Sequence, residues 1–290
     1  MKRIALIGAG FAGLAAAYYL SEKFQVVLFD QKGIGGGASG ISSGLLHPYP
    51  GEKGRRSWHA EEALQATRQL LKVAEKELGQ PVAQYNGILK VGPCDAGDDV
   101  ECLSDGTFLI KSGITVFPEL YLEGLWRACQ KRGAQLQLQK IDSLEQLSGF
   151  DLTVLAVGAG IRHFAECRHL KINYVKGQVL ACALEKTLER SISSKRYVAM
   201  TPSEKICHWG ATYEREFIDE RPCKETAIAL LKPETEVLDC RAGIRVTNPA
   251  HYFPLLEQLD ATTWVVTALG SRGLLYHAWL GKKLFSTLSI

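Results

Sequence analysis

Residues Met1–Asp30 read MKRIALIGAGFAGLAAAYYLSEKFQVVLFD, and this stretch decides the fold. An apolar run, Ile4 to Ile7, meets a glycine triplet at Gly8, Gly10 and Gly13. An Ala/Leu/Tyr-rich helical segment follows, and a second apolar run closes on Asp30. Strand, glycine turn, helix and strand in this order make a dinucleotide-binding βαβ unit. Gly8 permits the tight turn out of the strand, Gly10 lets the backbone approach a pyrophosphate, and Gly13 lets the helix pack closely on the sheet. The helix N-terminus, at Phe11 and Ala12, then faces the phosphates with free N–H groups and the positive end of its dipole. Asp30, followed by Gln31, stands where a carboxylate accepts hydrogen bonds from an adenosine ribose. On this unit alone NAD and FAD are equally open, and the alternative is a glycine-rich turn that holds no ligand.

Composition bounds the rest. A chain of 290 residues can bury a sizeable core, as one large α/β domain or as two interleaved ones, of which we favour the second. Hydrophobic content of 46% with 22% charged residues fits a globular chain rather than a disordered one. The net charge of +3 neither demands nor excludes a nucleic-acid partner. None of the eight cysteines forms a C-x-x-C pair, so neither a zinc site nor a dithiol redox motif is signalled, and reduced thiols are expected. Lys2, Arg3 and the apolar stretch after them superficially resemble a signal peptide, but the glycines inside it argue otherwise. No run approaches the roughly 18 apolar residues of a membrane span. A soluble, cytoplasmic protein with no metal is expected.

Beyond Asp30 lies Gly35-Gly-Gly-Ala38-Ser39-Gly40, then Ile41-Ser-Ser43-Gly44-Leu45-Leu46-His47, a loop whose free N–H groups could line an extended ligand. Periodicity predicts a helix over 57–78, short strands over 82–115, a helix over 119–132 and a strand over 134–139. An apolar run from Phe150 ends at Gly158-Ala-Gly160. β-Rich texture resumes at Lys171, with Lys176-Gly177-Gln178 before one strand and Gly210-Ala211-Thr212 after another. A helix is expected over 225–238 despite Pro233, then Gly243-Ile244-Arg245. The closing segment passes from an apolar strand through Gly270-Ser271-Arg272-Gly273-Leu274 into a final helix.

The opening unit, the Gly37-Ala-Ser39 and Ser43-Gly-Leu45 loop, the Gly158 strand end and the Gly270–Gly273 turn together resemble the D-amino acid oxidase superfamily of FAD enzymes. In motif they are closest to glycine oxidase and to the oxidoreductase half of the bifunctional enzyme that makes 5-methylaminomethyluridine in tRNA. The resemblance implies an α/β fold: a Rossmann-type FAD-binding domain (1–81, 116–170 and 263–290) with a second, antiparallel β-rich substrate domain (82–115 and 171–262). It implies noncovalent FAD on Gly8, Gly10, Phe11, Ala12, Gly13, Asp30, Gln31, Ala38, Ser39, Ser43, Gly44, Leu45, Gly158 and the turn Gly270, Ser271, Arg272, Gly273 and Leu274. Arg245 matches the arginine that holds the substrate carboxylate, with a structural salt bridge as its alternative. Arg272 falls beside flavin and substrate, and His47 near the flavin ring. Tyr197 and Tyr213 are candidate wall residues, against an ordinary core role. The implied reaction is oxidation of a C–N bond in an amino acid or N-alkylglycine unit by hydride transfer to flavin. The same unit occurs free or, as carboxymethylaminomethyluridine, on tRNA. A non-catalytic FAD-binding protein and an NAD(P)-dependent dehydrogenase are the competing readings.

Overall fold

In the computed structural model, which describes residues 1–289, the opening unit is β1 (Arg3–Ile7), α1 (Phe11–Leu20) and β2 (Gln25–Asp30). β1 and β2 run parallel, with Ile4 opposite Val26 and Ile7 opposite Phe29. The glycine-rich loop ends at β3 (Leu45–Leu46), and α2 (Ala60–Leu78) follows. Gly79 ends α2 in the left-handed conformation, its N–H returning to the Glu75 carbonyl. The turn-rich segment after it breaks into β4 (Ala83–Gln84), β5 (Ile88–Lys90), β6 (Val100–Cys102), β7 (Phe108–Ile110) and β8 (Ile114–Val116).

The chain then forms α3 (Pro118–Lys131), with Pro118 in its first turn, β9 (Gln135–Leu138) and β10 (Leu152–Leu155). Next come β11 (Asn173–Ala183), β12 (Ser191–Ser193), β13 (Tyr197–Met200) and β14 (Ile206–Gly210). α4 (Lys224–Leu231), β15 (Val237–Thr247), β16 (Leu255–Gln258), β17 (Thr263–Thr267) and α5 (Gly273–Leu288) complete it. The helix expected over 225–238 is therefore shorter. Lys232 leaves it with φ +47°, Pro233 cannot continue it, and Val237 already belongs to β15.

Two large sheets and one small one organise these elements. The first has the order β16-β17-β10-β1-β2-β9, with β16 the one antiparallel member, although it lies within residues 171–262. The second, β15-β11-β14-β13-β12-β5-β7-β6, is antiparallel except where β12 runs alongside β5. The third is β3-β8-β4. Strands between residues 82 and 115 thus divide between two sheets.

The main core lies between the first sheet and α1, α2, α3 and α5. Helices approach closely where a side chain is missing. A Cβ on Gly281 of α5 would lie 2.9 Å from the Ala15 carbonyl carbon, and one on Gly124 of α3 would lie 2.5 Å from the Ala74 oxygen. Inside this layer the Tyr121 hydroxyl donates to His277 Nε2 at 2.6 Å, while His277 Nδ1–H reaches the Leu274 carbonyl at 3.0 Å. The Phe11 ring packs on both rings. The first turns of α1 and α5, which face the same cleft, are thereby tied together. Among the described residues no helix is long and apolar enough to cross a membrane.

Candidate active site

A cleft of about 690 Å³ runs along the carboxyl ends of the first sheet and under the second. All five parallel strands end in it: β17 at Ala268, β10 at Gly158, β1 at Gly8, β2 at Asp30 and β9 at Gln139. Ligands of open α/β sheets bind at this edge because the loops there bring backbone donors and helix N-termini together.

The glycines at the first turn have distinct physical roles. Gly8 has φ +104°, and a Cβ on it would lie 2.3 Å from the Ala156 oxygen, in the segment leaving β10. A Cβ on Gly10 would lie 2.7 Å from Ser39 Oγ, which accepts the Phe11 N–H at 3.0 Å. The second loop therefore folds directly over the start of α1. Gly13 and Gly44, expected as ligand contacts, do not line the cleft. Their missing side chains admit backbone instead: a Cβ at either position would lie 1.8 Å from a carbonyl oxygen, that of Gly8 and that of Val116 respectively.

Asp30 lines the cleft, and its carboxylate organises the surrounding turn. Oδ2 accepts the Ala9 N–H at 2.9 Å, while Oδ1 accepts those of Lys32 at 2.7 Å and Gly33 at 3.0 Å. A carboxylate has about four acceptor sites, so capacity for a hydroxyl remains. Phe11, Ala12, Gln31, Ala38, Ser39, Ser43, Leu45 and Gly158 also line the cleft, as do Gly270, Ser271, Arg272, Gly273 and Leu274. The last group opens α5, which has no side-chain cap. Arg272 Nη1 donates to the Tyr252 carbonyl at 3.3 Å. Just before this turn Ala268 holds φ +60°, a strained value for a residue with a side chain, and no local sequence signal marks it.

From the second sheet come Gly177, Tyr197, Gly243 and Arg245. Tyr197 is a wall residue, and burial raises its pKa against the opposing effects of Ser43 and Arg245 beside it. Tyr213 is 56% exposed and lines a separate hollow with Tyr252, Phe217 and Arg162. Arg162, which also borders the cleft, and Lys90 were not singled out from the sequence. Lys90 is 1% exposed and donates to the Gly51 carbonyl at 2.8 Å, holding the loop that carries His47. Only a lysine in an otherwise apolar strand hints at this.

His47 is buried at the cleft wall, and its Nδ1 accepts the Tyr49 N–H at 3.3 Å, which places the imidazole proton on Nε2. Burial, reinforced by Lys90, lowers its pKa to about 4. Burial likewise takes His277 to about 4. Both are neutral at pH 7. In the unfolded chain they bind protons near pH 6.5, so between there and pH 4 the unfolded state holds more protons and stability falls with pH. Each histidine contributes roughly 3 kcal/mol of stability above pH 6.5 that is lost as the pH falls toward 4. Urea unfolding at stepped pH should show this decline, and His277→Phe should reduce the proton uptake on unfolding by about one. A stability independent of pH from 7 to 4.5 would contradict it.

A parallel sheet with a glycine turn and a carboxylate at its ligand edge, roofed by an antiparallel sheet that supplies Arg245, defines a dinucleotide-binding protein of the open α/β class. The chain belongs to the FAD dependent oxidoreductase (DAO) family, whose model matches residues 3–103 and 97–286. No curated protein sequence matches it. Its fold is similar to that of glycine oxidase from Geobacillus kaustophilus, at 18% identity, TM-score 0.82 and coverage of 100% of this chain and 95% of that one. Iminodiacetate oxidase from Chelativorans sp. BNC1 matches at 18% identity and TM-score 0.79, covering 99% and 95%. L-alpha-glycerophosphate oxidase from Mycoplasma pneumoniae with FAD bound matches at 16% identity and TM-score 0.80, covering 100% and 96%. The protein is an FAD-dependent oxidoreductase by family, which removes the NAD(P) reading. The cleft suits the cofactor: its volume is of the right order, and Gly10, Phe11 and Ala12 bring the N-terminus of α1 to its wall.

Proposed function

We propose that this protein oxidises the C–N bond of an amino acid or N-alkylglycine, with Arg245 holding the substrate carboxylate. The observation that carries the reading is the state of Arg245. Its guanidinium lines the cleft, its one side-chain hydrogen bond is to the Thr212 carbonyl at 3.1 Å, and no carboxylate lies within 4 Å of it among the described residues. An unpaired guanidinium in a concave site is a ready partner for a carboxylate, which it meets with two parallel hydrogen bonds. Glycine and iminodiacetate, named for two of the structural neighbours, both carry a carboxylate one carbon from nitrogen.

In this reading residues 1–81, 116–170 and 263–290 bind FAD and residues 82–115 and 171–262 bind substrate, except that β16 joins the cofactor sheet. Gly10, Phe11, Ala12 and Ser39 hold the pyrophosphate, Asp30 the ribose, and Gly270–Leu274 the flavin end. FAD, when bound, supplies the two-electron acceptor for hydride from the carbon beside the amine. Arg245 fixes that carbon by its carboxylate, and Arg272 lies at the flavin end. His47, neutral and protonated on Nε2, offers a hydrogen-bond donor. The N-terminus of α5 places a positive dipole end where negative charge develops.

The same carboxylate–CH2–NH unit on carboxymethylaminomethyluridine in tRNA is a second candidate substrate. It is favoured by the hollow beside the cleft, where exposed Tyr213 and Tyr252 with Arg215 offer ring faces and a guanidinium to a base, while Arg162 in its wall is paired with Glu220. Anaerobic mixing of the FAD-loaded protein with glycine, sarcosine, N-alkylglycines and tRNA carrying that uridine should bleach the flavin band with at least one of them. A flavin that none of these amines reduces would end the amine reading.

A further inference from the structure

We infer that Gly177, Gln178, Thr212 and Glu214 form a built seat that holds the Arg245 guanidinium in place before substrate arrives, making Thr212 and Glu214 positioning residues for the carboxylate site. This inference rests on the role proposed for Arg245. The Lys176-Gly-Gln178 and Gly210-Ala-Thr212 segments stand out in the sequence without an evident chemical task, and the structure brings them together beneath that arginine.

The seat has a floor and a back wall. Arg245 on β15 lies across from Val175 on β11, and its guanidinium rests on Gly177. A Cβ at Gly177 would lie 2.3 Å from Nη2, 2.5 Å from Cζ and 2.6 Å from Nη1, so only glycine leaves the plane room to lie there. The back wall is the Thr212 carbonyl, which accepts from Nη1 at 3.1 Å.

That carbonyl is itself held rigidly. Thr212 is buried; its N–H donates to the Gln178 carbonyl at 3.1 Å, and its Oγ1 accepts the Gln178 N–H at 2.8 Å. Thr212 Oγ1 also donates to Glu214 Oε1, and Gln178 Nε2 donates to the same oxygen at 3.0 Å. Gln178 is fully buried and completes its bonding by accepting the Cys223 N–H at 2.6 Å. Backbone bonds between Lys176 and Glu214, both 2.9 Å, close the cage. Glu214 has no cation within 4 Å among the described residues, so its carboxylate is spent on Thr212 and Gln178 rather than on an ion pair.

An arginine on a free stem must give up rotamer freedom each time it binds. Fixing the guanidinium beforehand removes that cost from substrate binding and also fixes where the reacting carbon sits. A loosened seat should therefore weaken carboxylate binding while leaving the later steps and the flavin site alone.

The experiment uses the FAD-loaded protein, with benzoate as a carboxylate probe read by the perturbation of flavin absorbance, and glycine turnover alongside. In Glu214→Ala and Thr212→Val the benzoate Kd and the glycine KM should rise tenfold or more, with kcat within about threefold and flavin content unchanged. Glu214→Gln, which keeps the accepting oxygen, should stay within about threefold of the parent. Affinity within threefold of the parent in both loosening variants, while Arg245→Met loses the probe, would overturn the seat and leave the role of Arg245 standing. Arg245→Met binding benzoate as tightly as the parent would overturn both. If Thr212→Val fails to retain FAD, the two Glu214 variants decide between these results.

Discussion

Arg245→Met is expected to lower kcat/KM for a glycine-type substrate by about 30-fold to several thousand-fold while the protein keeps its flavin. The range follows from the roughly 2–5 kcal/mol that truncating one partner of a hydrogen-bonded charge pair costs, at about 1.4 kcal/mol per tenfold. Methionine retains most of the stem's length, so packing against the second sheet is largely kept and the loss reports the guanidinium. Arg245→Lys should fall between, since an ammonium keeps the charge without the planar fork. The Thr212 carbonyl, on a buried residue, loses its Nη1 partner, and a folding cost of about 1–3 kcal/mol is expected beside the kinetic loss. Steady-state kinetics with glycine and sarcosine, run beside the flavin spectrum, make the check. Unaltered kcat/KM in the methionine variant would remove Arg245 from substrate binding.

Gly8→Ala should abolish FAD retention and lower stability by more than about 3 kcal/mol. Two effects add at this position. The backbone has φ +104°, where a side chain is strained, and the new Cβ would lie 2.3 Å from the Ala156 oxygen and 2.8 Å from its carbon. Both atoms are backbone of the segment leaving β10, and no side-chain rotation relieves the contact. The sheet would have to open between β1 and β10, where the Ala156 N–H donates to the Ile7 carbonyl at 2.8 Å. Gly37→Ala is the control for stability, because a Cβ there meets no protein atom within 4 Å. Flavin retained through desalting and a thermal midpoint for each variant test the pair. Parent-level flavin content in Gly8→Ala, with a thermal midpoint equal to that of Gly37→Ala, would show that the turn tolerates the displacement.

Much of the cofactor face was legible in the chain because it is local. Gly8, Gly10 and Gly13 sit within six residues, and Asp30 follows after one helix and one strand, so spacing reports the geometry directly. The substrate face was legible only in outline. Ser191 pairs with Ile88, and Arg245 with Val175, across loops that no local pattern spans. Tyr197 and Tyr213 look alike as sequence, yet one lines the cleft and the other a neighbouring hollow. Pro233 stops α4 through its missing N–H, although the apolar period of the sequence runs on to Leu238.

By itself, then, the sequence determined the βαβ unit, the positions needing glycine, the alternation of helices with strands and the arginine-bearing segments. These follow from φ/ψ limits and from apolar period, which neighbouring residues carry. Tertiary structure alone decided that Arg245 lies on Gly177, that Thr212, Gln178 and Glu214 stand behind it, that Lys90 is buried against the Gly51 carbonyl and that His47 is buried at the cleft wall. Those facts depend on strand register between segments far apart in the chain, and register is set by which faces are buried together rather than by any one segment.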